Sequence, residues 1–237
     1  MEGQKSMELT PELEDLYTRW LKTIPPACSP HFYNLSHQHK TVFLMQRPLE
    51  RDIPKSRTDV LAYVQGCRKE FAKWLAGNEY YSEMATVLSP AIGRELKHSE
   101  DLIENIYFTD ALKCHGNAGT PHSHAGHNDS FLREEFDFVL KEATLFISIG
   151  APAWEKISRL MGPSFKPVNW RYQHLAGRPD TSMTLSGIHG VLFEHSATGK
   201  FVIPLTFPPG GNSHPLRNSY LEYLKDGLAA LAATTKR

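Results

Sequence analysis

Cysteine is scarce in this sequence: the 237 residues include only Cys28, Cys67 and Cys114. An odd number of cysteines at no regular spacing argues against a disulfide framework as the basis of the fold. The N-terminal segment, residues 1–16, is polar and acidic and lacks the apolar core of a secretory signal peptide. We therefore expect a reduced, intracellular protein of the cytoplasm.

Long apolar runs are also missing. Hydrophobic residues make up 41% of the chain, which is enough for a sizeable core. No segment, however, approaches the about 18 consecutive apolar residues of a transmembrane helix. We therefore expect the protein to have no membrane partner.

The chain has no net charge, with 26 Lys and Arg against 26 Asp and Glu. Proteins that bind nucleic acids non-specifically are usually basic, because they neutralise phosphates, so the overall charge does not favour that class. The charge is uneven, however: residues 151–237 contain 10 basic and 5 acidic residues, which leaves 16 and 21 for residues 1–150. A local basic face on the C-terminal part is compatible with this distribution.

Hydrophobic periodicity predicts helices that alternate with strands. Helices are expected at 9–24, with Thr10 as the N-cap and Pro11 in the first turn, over most of 57–97, with breaks near Gly77 and Pro90, at 130–143, capped by Ser130, at 152–161, and at 216–233. Short continuous apolar runs, typical of buried parallel strands, occur at 40–48, at 105–110, at 144–150, and twice within 186–207, where Thr198-Gly199 forms a turn.

This alternation favours an α/β fold, a three-layer α/β/α sandwich with a mainly parallel central sheet. We expect a single domain over residues 1–237, in which residues 1–39 supply an N-terminal helix and a lead-in to the sheet. Ligands of such sheets bind at the carboxyl ends of the strands. Three loops should therefore meet at that edge: 45–52, 109–116 and 207–215.

Potential metal ligands are concentrated near the middle of the chain. Sulfur and imidazole are good zinc ligands, and four of them lie close together: Cys114, His122, His124 and His127. Their spacing matches no standard zinc finger, and the intervening Gly, Ser and Asn predict that 115–130 is a flexible His-rich loop. We therefore expect no metal, with zinc at these four residues as the alternative.

Polar residues at the predicted strand ends are the other candidates. Asp110 ends the second strand, where it could bind a ligand, hold a metal or cap a helix that starts at Ala111. Gln46, Glu50 and Asp52 follow the first strand, although charged residues in such loops are most often simply solvated. The segment Phe207-Pro-Pro-Gly-Gly-Asn could cradle an anion with its backbone N–H groups, or could be a plain turn from strand to helix.

Two common catalytic motifs are missing from the sequence. The glycine-rich segment near residue 210 lacks the Lys-Ser/Thr of a P-loop, so nucleoside triphosphate chemistry is not favoured. No G-x-S-x-G elbow occurs, so a serine hydrolase is disfavoured as well.

Four motifs occur in a characteristic order along residues 40 to 230. They are a strand followed by x-Q-x-P, then YFTDALKC, then LFISIGAPAWEKI, and finally VIPLTFPP with a downstream HPLRN. In this order they resemble the uracil-DNA glycosylase superfamily, and most closely its iron–sulfur-type branch. The second and third motifs are the most specific.

The resemblance implies a base-excision enzyme that flips a damaged or deaminated base out of DNA and hydrolyses its N-glycosidic bond. Such catalysis needs a carboxylate or a positioned water near C1′ and hydrogen-bond donors at the departing base. It implies catalytic roles for Gln46, Asp52 and His214. The implied base-binding residues are Pro48, Asp110, Phe207 and Pro208. The implied DNA-binding residues are Gly210, Gly211, Asn212, Ser213, Leu216 and Arg217.

The resemblance implies a detailed role for two of these residues. Asp110 takes the position of the asparagine that contacts the base edge. Leu216 would be the wedge that fills the gap left by the flipped base, or else would pack the start of the last helix.

Several positions depart from the family pattern. Met45 replaces a glycine, and Gln46 replaces an acidic residue, so residue 46 can position water but cannot act as a strong base. Only Cys114 corresponds to one of the four cluster cysteines, so we expect no iron–sulfur cluster.

These departures predict a divergent glycosylase with altered base specificity. We expect it to act on DNA as a monomer. The alternatives are a catalytically degenerate nucleic-acid or nucleoside binder on the same scaffold and a metal-dependent hydrolase built on the His-rich loop.

Asp110 is the expected source of the altered specificity. An ionised carboxylate only accepts hydrogen bonds, so it would repel the O4 oxygen of uracil and would suit an exocyclic amino group on a cytosine or adenine derivative. A protonated Asp110, its pKa raised by burial, would donate to O4 and allow uracil at low pH.

Overall fold

The computed structural model describes residues 8–24, 29–45, 56–115, 125–168, 185–206 and 217–234. Eight strands are defined in these ranges: β1 (Ser29–Pro30), β2 (Thr41–Met45), β3 (Tyr107–Asp110), β4 (Cys114–His115), β5 (Leu145–Ile149), β6 (Phe165–Pro167), β7 (Phe193–His195) and β8 (Lys200–Leu205). Eight helices accompany them: α1 (Pro11–Thr23), α2 (Val60–Ala76), α3 (Glu79–Ile92), α4 (Glu100–Asn105), α5 (Ala125–Glu142), α6 (Ala151–Met161), α7 (Leu185–Ile188) and α8 (Arg217–Thr234).

Six of the strands form one mixed sheet in the order β3-β2-β5-β8-β7-β6. The first four strands of this order are parallel, whereas β8, β7 and β6 pair antiparallel. A second, two-stranded sheet joins β1 to β4. The prediction of an α/β fold with a mostly parallel sheet flanked by helices is therefore confirmed at this level.

The side chains of the sheet alternate between two helical layers, as strand geometry requires. Val42 and Leu44 point to a face covered by α1, α5 and α6, which we call the α5 face. Phe43 and Met45 point to the opposite face, covered by α3, α4 and α8, which we call the α3 face. Helix α2 contributes to both layers, and its Phe71 ring packs against Phe108 of the edge strand β3.

The helix break predicted near Pro90 is confirmed, since α3 ends at Ile92 and Gly93 follows with φ 72°. Two predictions about α5 need correction. Ser130 does not cap α5, because that helix already begins at Ala125, within the predicted loop 115–130. Buried Phe131, Leu132 and Phe136 hold the helix against the core. The helix starts at Ala125, earlier than the loop-like composition of residues 115–130 predicted.

Thr10 precedes α1 as predicted but makes no capping bond with its side chain. Its hydroxyl lies 3.3 Å from His37 Nδ1 instead. Among the helices that the structure describes, none combines the length and the apolar character needed to cross a membrane.

Candidate functional site

The carboxyl ends of the four parallel strands lie along one edge of the sheet. From β2 the chain proceeds to β3 on one side, and from β5 it proceeds towards β8 on the other side. Two neighbouring strands whose connections run in opposite directions form a topological switch point, where open α/β sheets bind ligands. The site is therefore expected beyond the ends of β2 and β5, with β3 and β8 beside them.

The described parts of the three predicted loops fit this edge. Met45, the first residue of the predicted loop 45–52, pairs in register with Asp110 of the predicted loop 109–116. Leu205, near the start of the third, pairs with Ile149. The sheet therefore brings the three loop origins together as predicted, while 46–55 and 207–216 lie outside the described residues.

Asp110 is the last residue of β3 and is completely buried. The next residue, Ala111, donates its backbone N–H to Met45 O at 2.8 Å, which extends the pairing of β3 with β2. Residues 111–115 form a bend and the short strand β4, and they contain no helix. The helix-capping role considered for Asp110 is therefore wrong, while its roles towards a ligand or a metal stay predictions.

The two carboxylate oxygens of Asp110 have different surroundings. Oδ2 accepts a hydrogen bond from the Tyr33 hydroxyl at 3.0 Å. Oδ1 has no hydrogen-bond partner among the residues that the structure describes. Burial raises the pKa of the Asp110 carboxyl to about 7, although Lys113 and the Tyr33 hydroxyl oppose the rise. Asp110 consequently changes its charge near neutral pH.

Tyr33 belongs to a segment, residues 29–34, that runs antiparallel along the outer edge of β3. We call it the lead-in segment. The Asn34 side chain donates to Phe108 O at 2.6 Å and accepts from Phe108 N at 2.8 Å, so it takes the place of a neighbouring strand. Farther along, Pro30 pairs with Cys114. The lead-in segment thereby places Tyr33 directly beside Asp110.

The Tyr33 position is reinforced from α2. Arg68 is almost fully buried, donates from Nη1 to Tyr33 O at 2.6 Å, and also pairs with Glu104 of α4. The Tyr33 ring packs on Phe71, with 4.4 Å between the ring centroids. The backbone and the ring of Tyr33 are therefore both held, which fixes the direction of its hydroxyl.

A second buried carboxylate, Glu135 of α5, lies on the α5 face of the same strand. Its Oε1 accepts from Tyr107 at 2.8 Å, and its Oε2 accepts from Thr109 at 2.7 Å and lies 2.6 Å from Lys113 Nζ. Lys113 also donates to Thr109 and lies 5.2 Å from the centroid of the Phe131 ring. We call Tyr107, Thr109, Lys113 and Glu135 the Glu135 cluster.

The Glu135 cluster holds the turn that follows Asp110. Lys113 and Glu135 are each only 1% exposed, so the pair is desolvated and is stable only because its partners are in place. Since both oxygens of Glu135 have donors, this carboxylate offers little to a ligand. Its chemical role is to tie α5 to the end of β3.

Two further polar groups lie near this edge of the sheet. Ser148, near the end of β5, is completely buried, and its Oγ has no hydrogen-bond partner in the described part of the chain. His189 accepts the Thr206 N–H at its Nδ1, 2.9 Å away, so the ring proton lies on Nε2. Burial lowers the pKa of His189 to about 4 and keeps its ring neutral at physiological pH.

Most of the residues predicted from the sequence lie outside the described residues. These are Gln46, Pro48, Glu50, Asp52, Phe207, Pro208, Gly210, Gly211, Asn212, Ser213, His214 and Leu216. Arg217 opens α8, but its side chain is not among those described. Their roles stay predictions, and Asp110 is the predicted residue whose surroundings are defined.

The zinc alternative is also undecided. Cys114 lies in β4 and His127 in α5, while His122 and His124 lie outside the described residues. Elsewhere in the described part of the chain, no three His, Cys, Asp or Glu side chains are arranged to hold a metal ion.

The sequence prediction missed Tyr33, Asn34 and the Glu135 cluster. The sequence could have predicted a buried role for Glu135. This residue lies on the apolar stripe of α5 with Phe131, Leu132 and Val139, where an acidic residue needs a buried partner. Tyr33 carried none, because its contact with Asp110 joins residues 77 positions apart.

The chain matches no family model, and no curated protein is significantly similar to it. The motif resemblance to uracil-DNA glycosylases therefore stays a prediction.

Proposed function

We propose that this protein is a DNA glycosylase-like hydrolase that binds a flipped base at the carboxyl edge of its sheet and cleaves the N-glycosidic bond. Asp110 contacts the edge of the base. In this proposal Gln46, Asp52 and His214 act on the sugar and the leaving base. The residues that contact the DNA are Gly210, Gly211, Asn212, Ser213, Leu216 and Arg217. The role of Asp110 is supported by the YFTDALKC motif, one of the four that carry the family resemblance.

The observation that carries the proposal is the open oxygen of Asp110. A buried acceptor without a donor costs about 1 to 3 kcal/mol, and native proteins keep few of them. Asp110 Oδ1 is such an acceptor among the described residues. It lies beside the switch point at which sheets of this kind bind ligands. A bound base with a donor on its edge would satisfy it.

The protonation state of Asp110 defines the class of base. With its pKa near 7, Asp110 is present in both forms at neutral pH. The ionised form accepts a hydrogen bond and therefore favours a base with an exocyclic amino group, such as a cytosine or adenine derivative. The protonated form donates and therefore favours a carbonyl oxygen, as in uracil. We expect amino-bearing bases to be preferred above pH 7.

The reaction is a hydrolysis. Water adds to C1′ of the sugar while the bond from C1′ to the base nitrogen breaks, and the base leaves with a proton. Gln46 is suited to orient the water, because an amide binds water without acting as a strong base. His214 would donate to the departing base, where negative charge develops.

The test is a cleavage screen with oligonucleotides that carry single lesions, in single- and double-stranded form, from pH 6 to pH 8. We expect wild-type protein to release at least one amino-bearing base and the Asp110→Ala variant to lose about 10²-fold in rate. Asp15→Asn is the control, because Asp15 is an exposed carboxylate that pairs with Arg19 within α1. If no lesion is cleaved by wild-type protein, the enzymatic proposal is wrong.

A non-catalytic binder of bases or nucleosides is the second candidate. Met45 stands where the family has glycine and pairs directly with Asp110, so its side chain adds bulk beside the base. Gln46 cannot ionise, which removes a catalytic carboxylate. Nucleoside binding observed by NMR titration without cleavage of any lesion would favour this candidate.

A further inference from the structure

The two oxygens of Asp110 are unequal, and Tyr33 makes them so. The Tyr33 hydroxyl donates to Oδ2, while Oδ1 has no hydrogen-bond partner among the residues that the structure describes. We propose that Tyr33 is a specificity-determining positioning residue, which reserves Oδ1 as the one atom of Asp110 that contacts the base. This inference rests on the proposed function for its ligand, but its geometry can be tested without any activity.

Tyr33 is held firmly enough for this task. Asn34 fastens the lead-in segment to both backbone groups of Phe108. Arg68 binds the carbonyl of Tyr33, and Phe71 packs against its ring. A pre-organised hydroxyl loses little conformational entropy when it orients a carboxylate. The carboxyl group of Asp110 therefore has one preferred rotation, with Oδ2 towards Tyr33.

One atom then changes its hydrogen-bonding character with pH. When Asp110 is ionised, Oδ1 is an acceptor. When Asp110 is protonated, the proton resides on Oδ1, because Oδ2 already receives the Tyr33 proton. Oδ1 then becomes a donor in the same place. Because Tyr33 fixes the position of Oδ1, the charge of Asp110 decides which base edge is preferred. The ionised form prefers an amino group, and the protonated form prefers a carbonyl oxygen.

The charged and titratable groups that act on Asp110 come from three directions. Lys113, in the turn after β3, favours the ionised form, and so does the hydroxyl of Tyr33 in the lead-in segment. Glu135, from α5, favours the protonated form. Burial opposes ionisation most strongly. Tyr33 is the one of these residues that touches the Asp110 carboxylate, so its removal should change Asp110 most directly.

The experiment compares Tyr33→Phe with Tyr63→Phe. Tyr63 is the matched control, since its buried hydroxyl donates to Pro30 O of the same lead-in segment at 2.7 Å but does not contact Asp110. Protein labelled with ¹³C at the aspartate carboxyl carbons is titrated by NMR, and the Asp110 signal is assigned by its loss in Asp110→Asn.

We expect Tyr33→Phe to raise the Asp110 pKa by about 1 to 2, which corresponds to the loss of one hydrogen bond to a charged acceptor. Tyr63→Phe should leave the Asp110 pKa unchanged. An Asp110 pKa that does not respond to Tyr33→Phe, or that responds equally to Tyr63→Phe, overturns the inference. This outcome is independent of whether the protein cleaves DNA.

A second measurement keeps the test decisive if Tyr33→Phe does not fold. Replacing Tyr33 alone by 3-fluorotyrosine preserves the hydroxyl and makes it a stronger donor, so the Asp110 pKa should fall. An unchanged value would overturn the inference. The specificity is then followed by NMR titration with cytidine and uridine at pH 8. Tyr33→Phe should change the ratio of the two affinities by about fivefold or more, whereas Tyr63→Phe should not.

The outcomes for the two proposals can be distinguished. If the Asp110 pKa responds to Tyr33 but the wild type binds neither nucleoside and cleaves no lesion, the proposed function is wrong and the positioning of Asp110 stands. If nucleosides bind and Tyr33→Phe leaves the ratio of the cytidine and uridine affinities unchanged, Tyr33 does not determine specificity. In that case the proposed function stands and this inference falls.

Discussion

Asp110 and Glu135 are both buried carboxylates next to β3, but the fold surrounds them differently. Glu135 accepts from Tyr107 and Thr109 and pairs with Lys113, so both of its oxygens are satisfied. Asp110, on the opposite face, accepts through Oδ2 from Tyr33, its only hydrogen-bond donor in the described part of the chain. Burial raises the pKa of Asp110 to about 7. The two sites are only about one residue apart along β3, so burial alone does not explain the difference.

The comparison separates a charge that holds the structure together from a charge that is kept for a ligand. A buried ion pair with complete hydrogen bonding is destabilised strongly when one partner is removed. A buried carboxylate with an open oxygen costs stability in the absence of a ligand, and such strain concentrates at functional sites. Disrupting the Glu135 cluster should therefore lower the free energy of unfolding, whereas removing the charge of Asp110 should raise it.

The largest expected effect is the loss of Lys113. Lys113→Met removes the cation from the Glu135 cluster and leaves Glu135 buried without its charge partner. We expect the free energy of unfolding to fall by about 3 to 5 kcal/mol. Chemical denaturation at pH 7 measures this change. Lys225→Met is the control, because its pair with Glu222 is exposed and contributes at most about 1 kcal/mol.

The double variant Lys113→Met/Glu135→Leu sharpens the result. Without either charge, no buried ion remains unpaired, so we expect the double variant to regain part of the stability lost in Lys113→Met. If Lys113→Met lowers the free energy of unfolding by less than about 1 kcal/mol, Glu135 is not the structural carboxylate that its contacts indicate. The contrast between Glu135 and Asp110 would then be wrong for Glu135.

The next effect concerns Asp110 and has the opposite sign. A carboxyl whose pKa is raised in the folded state stabilises the fold fully below its ordinary value of 3.8 and loses that contribution as the pH rises through about 7. Asp110→Asn removes this dependence. We expect the variant to be more stable than wild type by about 2 to 4 kcal/mol at pH 8, with little difference near pH 4.

Unfolding free energies measured at several values between pH 4 and pH 8 test this prediction. Asp15→Asn is a suitable control, because the Asp15 carboxylate is 68% exposed and pairs with Arg19 of the same helix. An Asp110→Asn variant with the same pH dependence as wild type would show that Asp110 has an ordinary carboxyl pKa. Asp110 would then need no ligand to explain its surroundings.

Local periodicity was sufficient to predict the elements that carry the site. The apolar runs of β2, β3 and β5 are contiguous in sequence, and their parallel order followed from the helices between them. Asp110 could be predicted as a strand-end carboxylate for the same reason. The start of α5 was missed because its first turn has the composition of a loop. The part of the site that depends on long-range geometry was missed as well.

Tyr33 shows why that part was missed. Nothing near it in sequence predicts that the lead-in segment follows the edge of β3, since this depends on the Asn34 side chain binding both backbone groups of Phe108. Strand edges are open to any chain that can pair with them, and sequence patterns do not identify which segment will. The structure was therefore needed to show which oxygen of Asp110 is open.

The smallest expected effect, about tenfold in rate, is on the choice of base. In Asp110→Asn, the Tyr33 hydroxyl should keep donating to the side-chain oxygen, so the amide NH₂ takes the position of Oδ1. This group donates to O4 of uracil at every pH, whereas wild-type Asp110 is ionised at pH 8 and repels O4. We expect Asp110→Asn to increase uracil excision about tenfold or more at pH 8, a change of about 1.4 kcal/mol in the barrier. At pH 6, where wild-type Asp110 is mostly protonated and donates through Oδ1, the gain should be smaller.

Single-turnover cleavage of a uracil-containing oligonucleotide by both proteins at the two pH values measures this gain. Robust uracil excision by wild type at pH 8 that Asp110→Asn leaves unchanged or reduces would show that Asp110 does not contact the base edge, and the contrast with Glu135 would then concern stability alone.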